Sequence, residues 1–128
     1  MILLVCGQDI RSLSVGLIQN GVLHQEVHFV ASPERYLERV VETLSEWHVS
    51  AGDLGAVAVV TGPGSFTSSR VSTTIANGIA FAKGIPVLAI ENFDRLNLRE
   101  LSERTDFAKL PSVDHYAVPV YDRPPHIT

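Results

Sequence analysis

The residues best placed to do chemistry are Thr61-Gly62-Pro63-Gly64-Ser65-Phe66-Thr67, with Arg70 close behind. An apolar run, Ala56 to Val60, leads into them, and a helical pattern of small residues, Ser68 to Lys83, leads out. Strand, glycine turn and helix N-terminus therefore coincide. Pro63-Gly64 suits the central positions of a type II turn, because proline fixes φ and glycine accepts φ > 0. Ser65 or Thr67 then caps the helix through its hydroxyl. Such a corner offers free amides to an anion, or simply turns the chain. Its glycine spacing is neither that of a P-loop nor that of a dinucleotide fingerprint. Ser65 and Thr67 are also nucleophiles by type, but nothing near them in sequence supplies a base. Capping and turn bonding are the expected roles. Arg70 is expected to tie neighbouring loops together or to bind an acidic group on a partner.

Other candidate constellations are weaker. His24-Gln25-Glu26-Val27-His28 has the residue types of a zinc-protease helix, with its glutamate one position late. The stretch alternates apolar and polar from Val22 to Val30, which predicts a strand. Histidines four apart on a strand share a face about 13 Å apart, too far for one metal. His48, His115 and His126 show no ligand spacing. A two-metal nuclease needs convergent carboxylates, and only Asp9, Asp53 and Glu91 lie near predicted strand ends. Scattered surface acids account for them. Cys6 sits in an apolar run and reads as a small buried hydrophobe. No catalytic residue, metal or cofactor is predicted.

The elements that must position these residues follow from periodicity. Ile2 to Cys6, Ser12 to Ile18 and Val22 to Val30 read as strands, with Asn20-Gly21 as a hairpin turn. Ser32-Pro33-Glu34 opens a helix in which Tyr36, Leu37, Val40, Val41, Leu44 and Trp47 form one apolar face. Ala56 to Val60 is a buried strand, and Ser68 to Lys83 a second helix stopped by Gly84. Val87 to Ile90 is a further strand. Asn92 caps a third helix, Phe93 to Glu103, with Phe93, Leu96 and Leu101 inward. Thr105 to Asp114 is irregular, and His115 to Tyr121 is a last extended segment. The order is β-β-β-α-β-α-β-α, an α/β fold of a single ribonuclease-H-like or actin-like lobe with a mixed sheet. Residues 1–104 form the lobe, and 105–128 form an irregular tail packing on or near it.

At 128 residues the chain is one domain, large enough to bury a core without disulfides. Its net charge of −4, with charges scattered, argues against a standalone nucleic-acid binder. The start, Met1-Ile2-Leu3-Leu4-Val5, lacks the basic residues of a signal peptide, and no run reaches transmembrane length. A single cysteine fits the reducing cytoplasm.

Gly62-Pro63-Gly64-Ser65-Phe66-Thr67-x-x-Arg70 resembles the signature of the bacterial TsaB family, formerly grouped with glycoprotease-like proteins. Asp53 to Val59, Ala76 to Ala80, Ile85 to Asn92 and the tail Val120 to Pro125 also follow the family pattern. The resemblance implies the same actin-like fold. It implies a non-catalytic subunit of the machinery that makes threonylcarbamoyladenosine in tRNA. In that machinery TsaD transfers the threonylcarbamoyl group, TsaB pairs with it through helices, and the ATPase TsaE docks on the pair. The family carries two lobes, whereas only one is visible here, so docking of TsaE is expected to be weakened. The missing second lobe would remove the cleft in which actin-like ATPases hold nucleotide, so nucleotide binding is not expected. Where the family reads Asp-Thr-Ser after the first strand, this chain has Cys6-Gly7-Gln8-Asp9, and with Asp9 the one candidate carboxylate for a metal, ATP hydrolysis is not expected.

Ser68, Ser72, Ala76 and Ala80 recur every four residues and form a stripe that lets another helix approach closely. It packs either inside the lobe or against a partner. Val71, Ile75, Ile79 and Ala82 make a separate apolar stripe for the core. On the partner reading, Tyr36, Val40, Ser68, Ser72, Ala76 and Ala80 form the interface with TsaD. Two alternatives are a glycoprotease-like peptidase and a self-associating homodimer through the same stripe.

Overall fold

The computed structural model describes residues 1–110 and 117–119. Five strands form one mixed sheet: β1 (Ile2–Cys6), β2 (Ser12–Gln19), β3 (Val22–Val30), β4 (Ala56–Gly62) and β5 (Val87–Glu91). Their spatial order is β3-β2-β1-β4-β5. The first three strands are an antiparallel meander, while β1, β4 and β5 run parallel. The meander needs only tight turns. Asn20 and Gly21 both take positive φ, 54° and 76°, as a two-residue hairpin of matching twist requires. The parallel strands need crossovers, which helices α1 (Tyr36–Glu46) and α2 (Phe66–Lys83) provide.

The helices divide the core into two layers. On one face α1 and α2 press Tyr36, Val40, Ile75, Ala76 and Ala80 onto Leu3, Val5, Val57 and Val59. On the other, α3 (Leu98–Arg104) presses Leu98 and Leu101 onto Leu4, Ala58, Val60 and Ile90. A central strand covered on both sides must be apolar throughout, and every residue of β4 is buried. Each fully buried Leu or Val contributes roughly 1.5–3 kcal/mol relative to an exposed one.

Several boundaries differ from those the sequence predicts. The sharpest difference concerns the stripe. Ser68, Ser72 and Ala76 are wholly buried, as are Tyr36 and Val40, and Ala80 is 3% exposed. The expected interface therefore lies inside the lobe, against the sheet. The cause is steric: a Cβ on Gly7 would stand 2.7 Å from the Cβ of Ser72, so α2 and the β1 terminus pack backbone to backbone, where only small side chains fit. Leu37 and Val41, expected inward, are more than half exposed instead, and Thr43 is buried in their place.

Smaller corrections follow the same logic of tertiary bonding. Pro33–Arg35 forms a short 3-10 turn before α1, without a capping bond from the Ser32 side chain. Helix α2 starts at Phe66 rather than Ser68, because Ser65 and not Thr67 caps it. Gly84 ends it with φ 65°, as predicted. The third helix starts at Leu98, capped by Asn97, whose side chain accepts from Glu100 N. Asn92 is drawn elsewhere, and Phe93 is exposed. The pairing of β2 with β3 contains a one-residue bulge at His24, which breaks the alternation expected to put His24 and His28 on a common face. Most of the segment expected to be extended, His115 to Tyr121, and the tail end Arg123-Pro124-Pro125 lie outside the described residues.

Candidate functional site

The signature residues lie where β4 runs into α2, at the end of the sheet where β1 and β5 also finish. Three loops meet there, and Gln8 ties them. Its side-chain amide donates to Pro63 O at 2.6 Å and to Asn92 O at 2.7 Å. Its Oε1 accepts from Asn92 Nδ2 at 3.1 Å. Its backbone carbonyl accepts from Ser65 N at 2.8 Å. Asn92 N in turn donates to Gly62 O at 2.8 Å, and Asn92 Oδ1 accepts from Leu96 N at 3.0 Å. Gln8 and Asn92 are both 3% exposed. A buried amide left unpaired costs about 1–3 kcal/mol, so this network makes the three loops one unit.

The glycines serve that knot. A Cβ on Gly64 would collide with the Gln8 carbonyl, so glycine is required by close approach. Positive φ is found at Gly62 (131°) and not at Gly64, and the Gly62–Pro63 peptide is cis. The corner is therefore not the type II turn that Pro63-Gly64 predicts. Its amides are partly committed: Ser65 N to Gln8 O, Ser68 N to the Ser65 hydroxyl, and Ser69 N to Ser65 O. Ser65 acts as cap and turn residue, its hydroxyl accepting from Ser68 N. Gln8 carries no sequence signal beyond a polar residue soon after an apolar strand, and Asn92, expected as a helix cap, carries none for its bonds to Gln8.

The candidate carboxylates do not converge. Asp9 pairs with Arg95. Asp53 sits at the opposite end of the sheet, before β4, where the backbone N–H and the hydroxyl of Ser50 hold its carboxyl below the usual range. Among the described residues no group of three or more His, Cys, Asp or Glu could hold a metal ion. Beside the knot, under the Arg95–Leu98 segment, lies a cavity of 350 Å³ with Cys6, Ser14, Glu26 and His28 in its wall. The Ser14 hydroxyl and His28 Nδ1 lie 2.8 Å apart. They pair directly across β2 and β3. Burial pushes the Cys6 thiol up to about 11, outweighing a bond from the Gln8 backbone, so it is protonated and a poor nucleophile at neutral pH.

The other notable surface is the outer face of α1 and α2. Leu37, Val41, Thr74, Gly78 and Ala82 line an apolar groove of 430 Å³. It continues past Leu37 and Thr74 into a second groove of 560 Å³ that includes Phe66, Arg70 and Glu34. Leu37 is 54% exposed, Val41 57% and Phe81 91%. The Arg70 guanidinium lies 5.9 Å from the centre of the Phe66 ring. On the flank of α2, the Asn77 amide donates to Ala117 O at 2.9 Å and accepts from Ala117 N at 2.7 Å. Ala117, in the predicted tail, is thereby buried against the lobe.

A family model described as TsaD, tRNA N6-adenosine threonylcarbamoyltransferase, matches residues 25–114. The tRNA threonylcarbamoyladenosine biosynthesis protein TsaB of Haemophilus influenzae is 33% identical over 70% of this chain. The chain belongs to the TsaB/TsaD family. The TsaB of Escherichia coli is 29% identical over 62% of the chain. The solved structure of YeaZ from Pseudomonas aeruginosa superimposes with a TM-score of 0.63 at 30% identity, over 71% of this chain and 43% of that one. The ribonuclease-H-like, actin-like lobe read from element order is thus the observed fold. The matches cover only 39% and 36% of the two TsaB relatives' own length, so the chain spans well under half of each. No helix among the described residues is long and apolar enough to cross a membrane.

Proposed function

We propose that this chain is a non-catalytic scaffold in the synthesis of threonylcarbamoyladenosine in tRNA, and that it acts in the cytoplasm by docking a TsaD-type enzyme on the outer face of α1 and α2. The observation that carries this reading is the exposed apolar groove between those helices, with Leu37 and Val41 more than half exposed beside it. A contiguous apolar surface of this kind marks an interaction site. The signature loop has a supporting part. By knotting the ends of β1, β4 and β5 it fixes where α2 begins, and so fixes one wall of the groove. A scaffold role also agrees with the chemistry at the knot, where Asp9 is paired, Cys6 is protonated and the carboxylates stand apart. The transfer reaction then belongs to TsaD, and TsaE reaches this chain only through that complex.

The groove residues differ from those of the small-residue stripe. Leu37, Val41, Thr74, Gly78 and Ala82 replace Ser68, Ser72, Ala76 and Ala80 as the contact set. The test is light scattering with size-exclusion chromatography on the chain mixed with TsaD of the same organism. A stoichiometric complex that Leu37→Asp dissolves is the expected result. A chain that stays monomeric beside TsaD, or a complex indifferent to Leu37→Asp, refutes the docking reading.

A further inference from the structure

Asn77 meets a residue forty positions further along the chain in a way that packing alone does not require. Its Nδ2 donates to Ala117 O at 2.9 Å, and its Oδ1 accepts from Ala117 N at 2.7 Å. One side chain thus answers both main-chain groups of one residue. A carboxamide has the donor and acceptor of a peptide unit, and two residues that exchange both bonds form the hydrogen-bonded pair of an antiparallel ladder. Asn77 therefore acts on Ala117 as a neighbouring strand would, from a helix. The exposures beside it fit an extended chain, whose side chains point to alternate faces. Ala117 is 2% exposed and belongs to the layer of Ala76, Ala80 and Val87, whereas Val118 is 62% exposed. The position that enters the layer holds a single methyl group.

The row of α2 that carries Asn77 holds two more polar groups. Thr73 and Ser69 stand four and eight residues before it, on the same side of the helix. Both are buried, and neither hydroxyl has a hydrogen-bond partner among the described residues. Ser72 and Thr74 of the same helix turn back instead, donating to Ser69 O and Arg70 O, the usual recourse of a helix hydroxyl that nothing else engages. The third unpaired hydroxyl of α2, Ser68, faces Tyr36 rather than this row. A buried hydroxyl that forgoes the bond to its own helix is a group that a main chain laid along the row can use.

We propose that this flank of α2 is a binding site for an extended peptide, read through its main chain by Asn77, with a slot that admits one small side chain. The segment around Ala117 of this same chain is its occupant, and it comes off as a strap while the lobe stays folded. Main-chain bonds supply affinity in such recognition, and the pocket for the inward side chain supplies specificity. The site therefore demands a free N–H and C=O and a small side chain at one position, and tolerates variety at the outward positions. Among the described residues the strap is held by two hydrogen bonds and one methyl group. That is a small part of what holds the sheet, so the strap opens locally before the layers separate.

The experiment uses the full chain and a labelled, end-capped peptide of residues 114–121, followed by fluorescence anisotropy. Ala117→Asp puts a charge into the slot and evicts the chain's own strap, and circular dichroism checks that the variant is folded. The expected result is a peptide bound about tenfold or more tightly by Ala117→Asp than by wild type, whose site is filled from within the same molecule. The same peptide with N-methylalanine at position 117 lacks one donor, and Asn77→Ala added to Ala117→Asp removes both bonds; each is expected to weaken binding about tenfold. A folded Ala117→Asp chain that ignores the peptide, wild type binding it equally, or N-methylation without effect overturns the proposal. If Ala117→Asp does not fold, amide exchange on wild type and Asn77→Ala decides instead. The Ala117 amide is expected to lose at least about tenfold protection in Asn77→Ala while the amides of β4 keep theirs. An Ala117 amide unprotected in wild type, equally protected in Asn77→Ala, or lost together with β4 shows that there is no separable strap.

Discussion

The two sides of α2 are built from similarly small residues and do opposite work. The inner side, Ser68, Ser72, Ala76 and Ala80, is buried against the sheet and the glycine after β1. The outer side, Thr74, Gly78, Phe81 and Ala82, is exposed beside the apolar groove. A stripe of small side chains lets something approach closely, and here that something is the chain's own backbone. The face left for another molecule is marked by large apolar groups, Leu37, Val41 and Phe81, that stay more than half exposed among the described residues. Small residues mark close packing; they do not say whether it is internal.

The comparison is most easily broken with bulk. Ser72→Trp on the inner side is expected to abolish folding, because the space between Gly7 and Ser72 is too small even for one added Cβ. Phe81→Ser on the outer side is expected to change stability by less than about 0.5 kcal/mol. Urea denaturation of the pair decides it, and a stable Ser72→Trp protein would place the stripe outside after all.

Gly64→Ala comes next, with an expected loss of about 3 kcal/mol from overpacking against the Gln8 carbonyl. Gln8→Ala removes the side-chain donor to Pro63 O and one of two bonds at both Asn92 O, which keeps Arg95 N, and Asn92 Nδ2, which keeps Leu96 O, and should cost about 2 kcal/mol or more. Either variant melting like wild type would show the knot to be loose. Asn77→Ala removes both bonds to Ala117 and is expected to cost about 1–2 kcal/mol, read as a lower denaturation midpoint with the outer groove intact.

The smallest effect near neutral pH belongs to Cys6. Its thiol is raised from 9.0 to about 11 by burial, so the folded state holds the proton more tightly than the unfolded one. The stabilisation is fully present below pH 9 and is lost as pH rises towards 11. Native Cys6 should resist alkylation at pH 7.5 and react on unfolding. Rapid labelling of the folded chain at that pH would mean that the α3-covered layer opens beside the cavity that Cys6 lines.

Much of the fold was legible in local pattern. Asn20-Gly21 dictates its hairpin because both positions take positive φ, and Gly84 stops α2 for the same reason. The continuous apolar run of β4 announces a strand covered on both faces. The knot was not legible. Gln8 and Asn92 are 84 residues apart, and a glutamine after a strand looks like any surface residue until the fold brings three strand ends together. The turn at Pro63-Gly64 was misread for a related reason. Gly64 is glycine because a distant carbonyl presses on it, a demand that no local turn rule contains. Asn92 was read as a cap from its position before a helix, whereas Gln8 and Leu96 claim its side chain.

The sequence by itself determined the order of strands and helices, the hairpin, the helix stop and the family, since each depends on residues close in the chain or on a contiguous motif. Only the tertiary structure decided which face of α2 is inside, what the signature glycines accommodate, and which loops Gln8 and Asn92 tie together. Those outcomes depend on which groups meet across the sheet, and burial is a property of the assembled layers rather than of any segment.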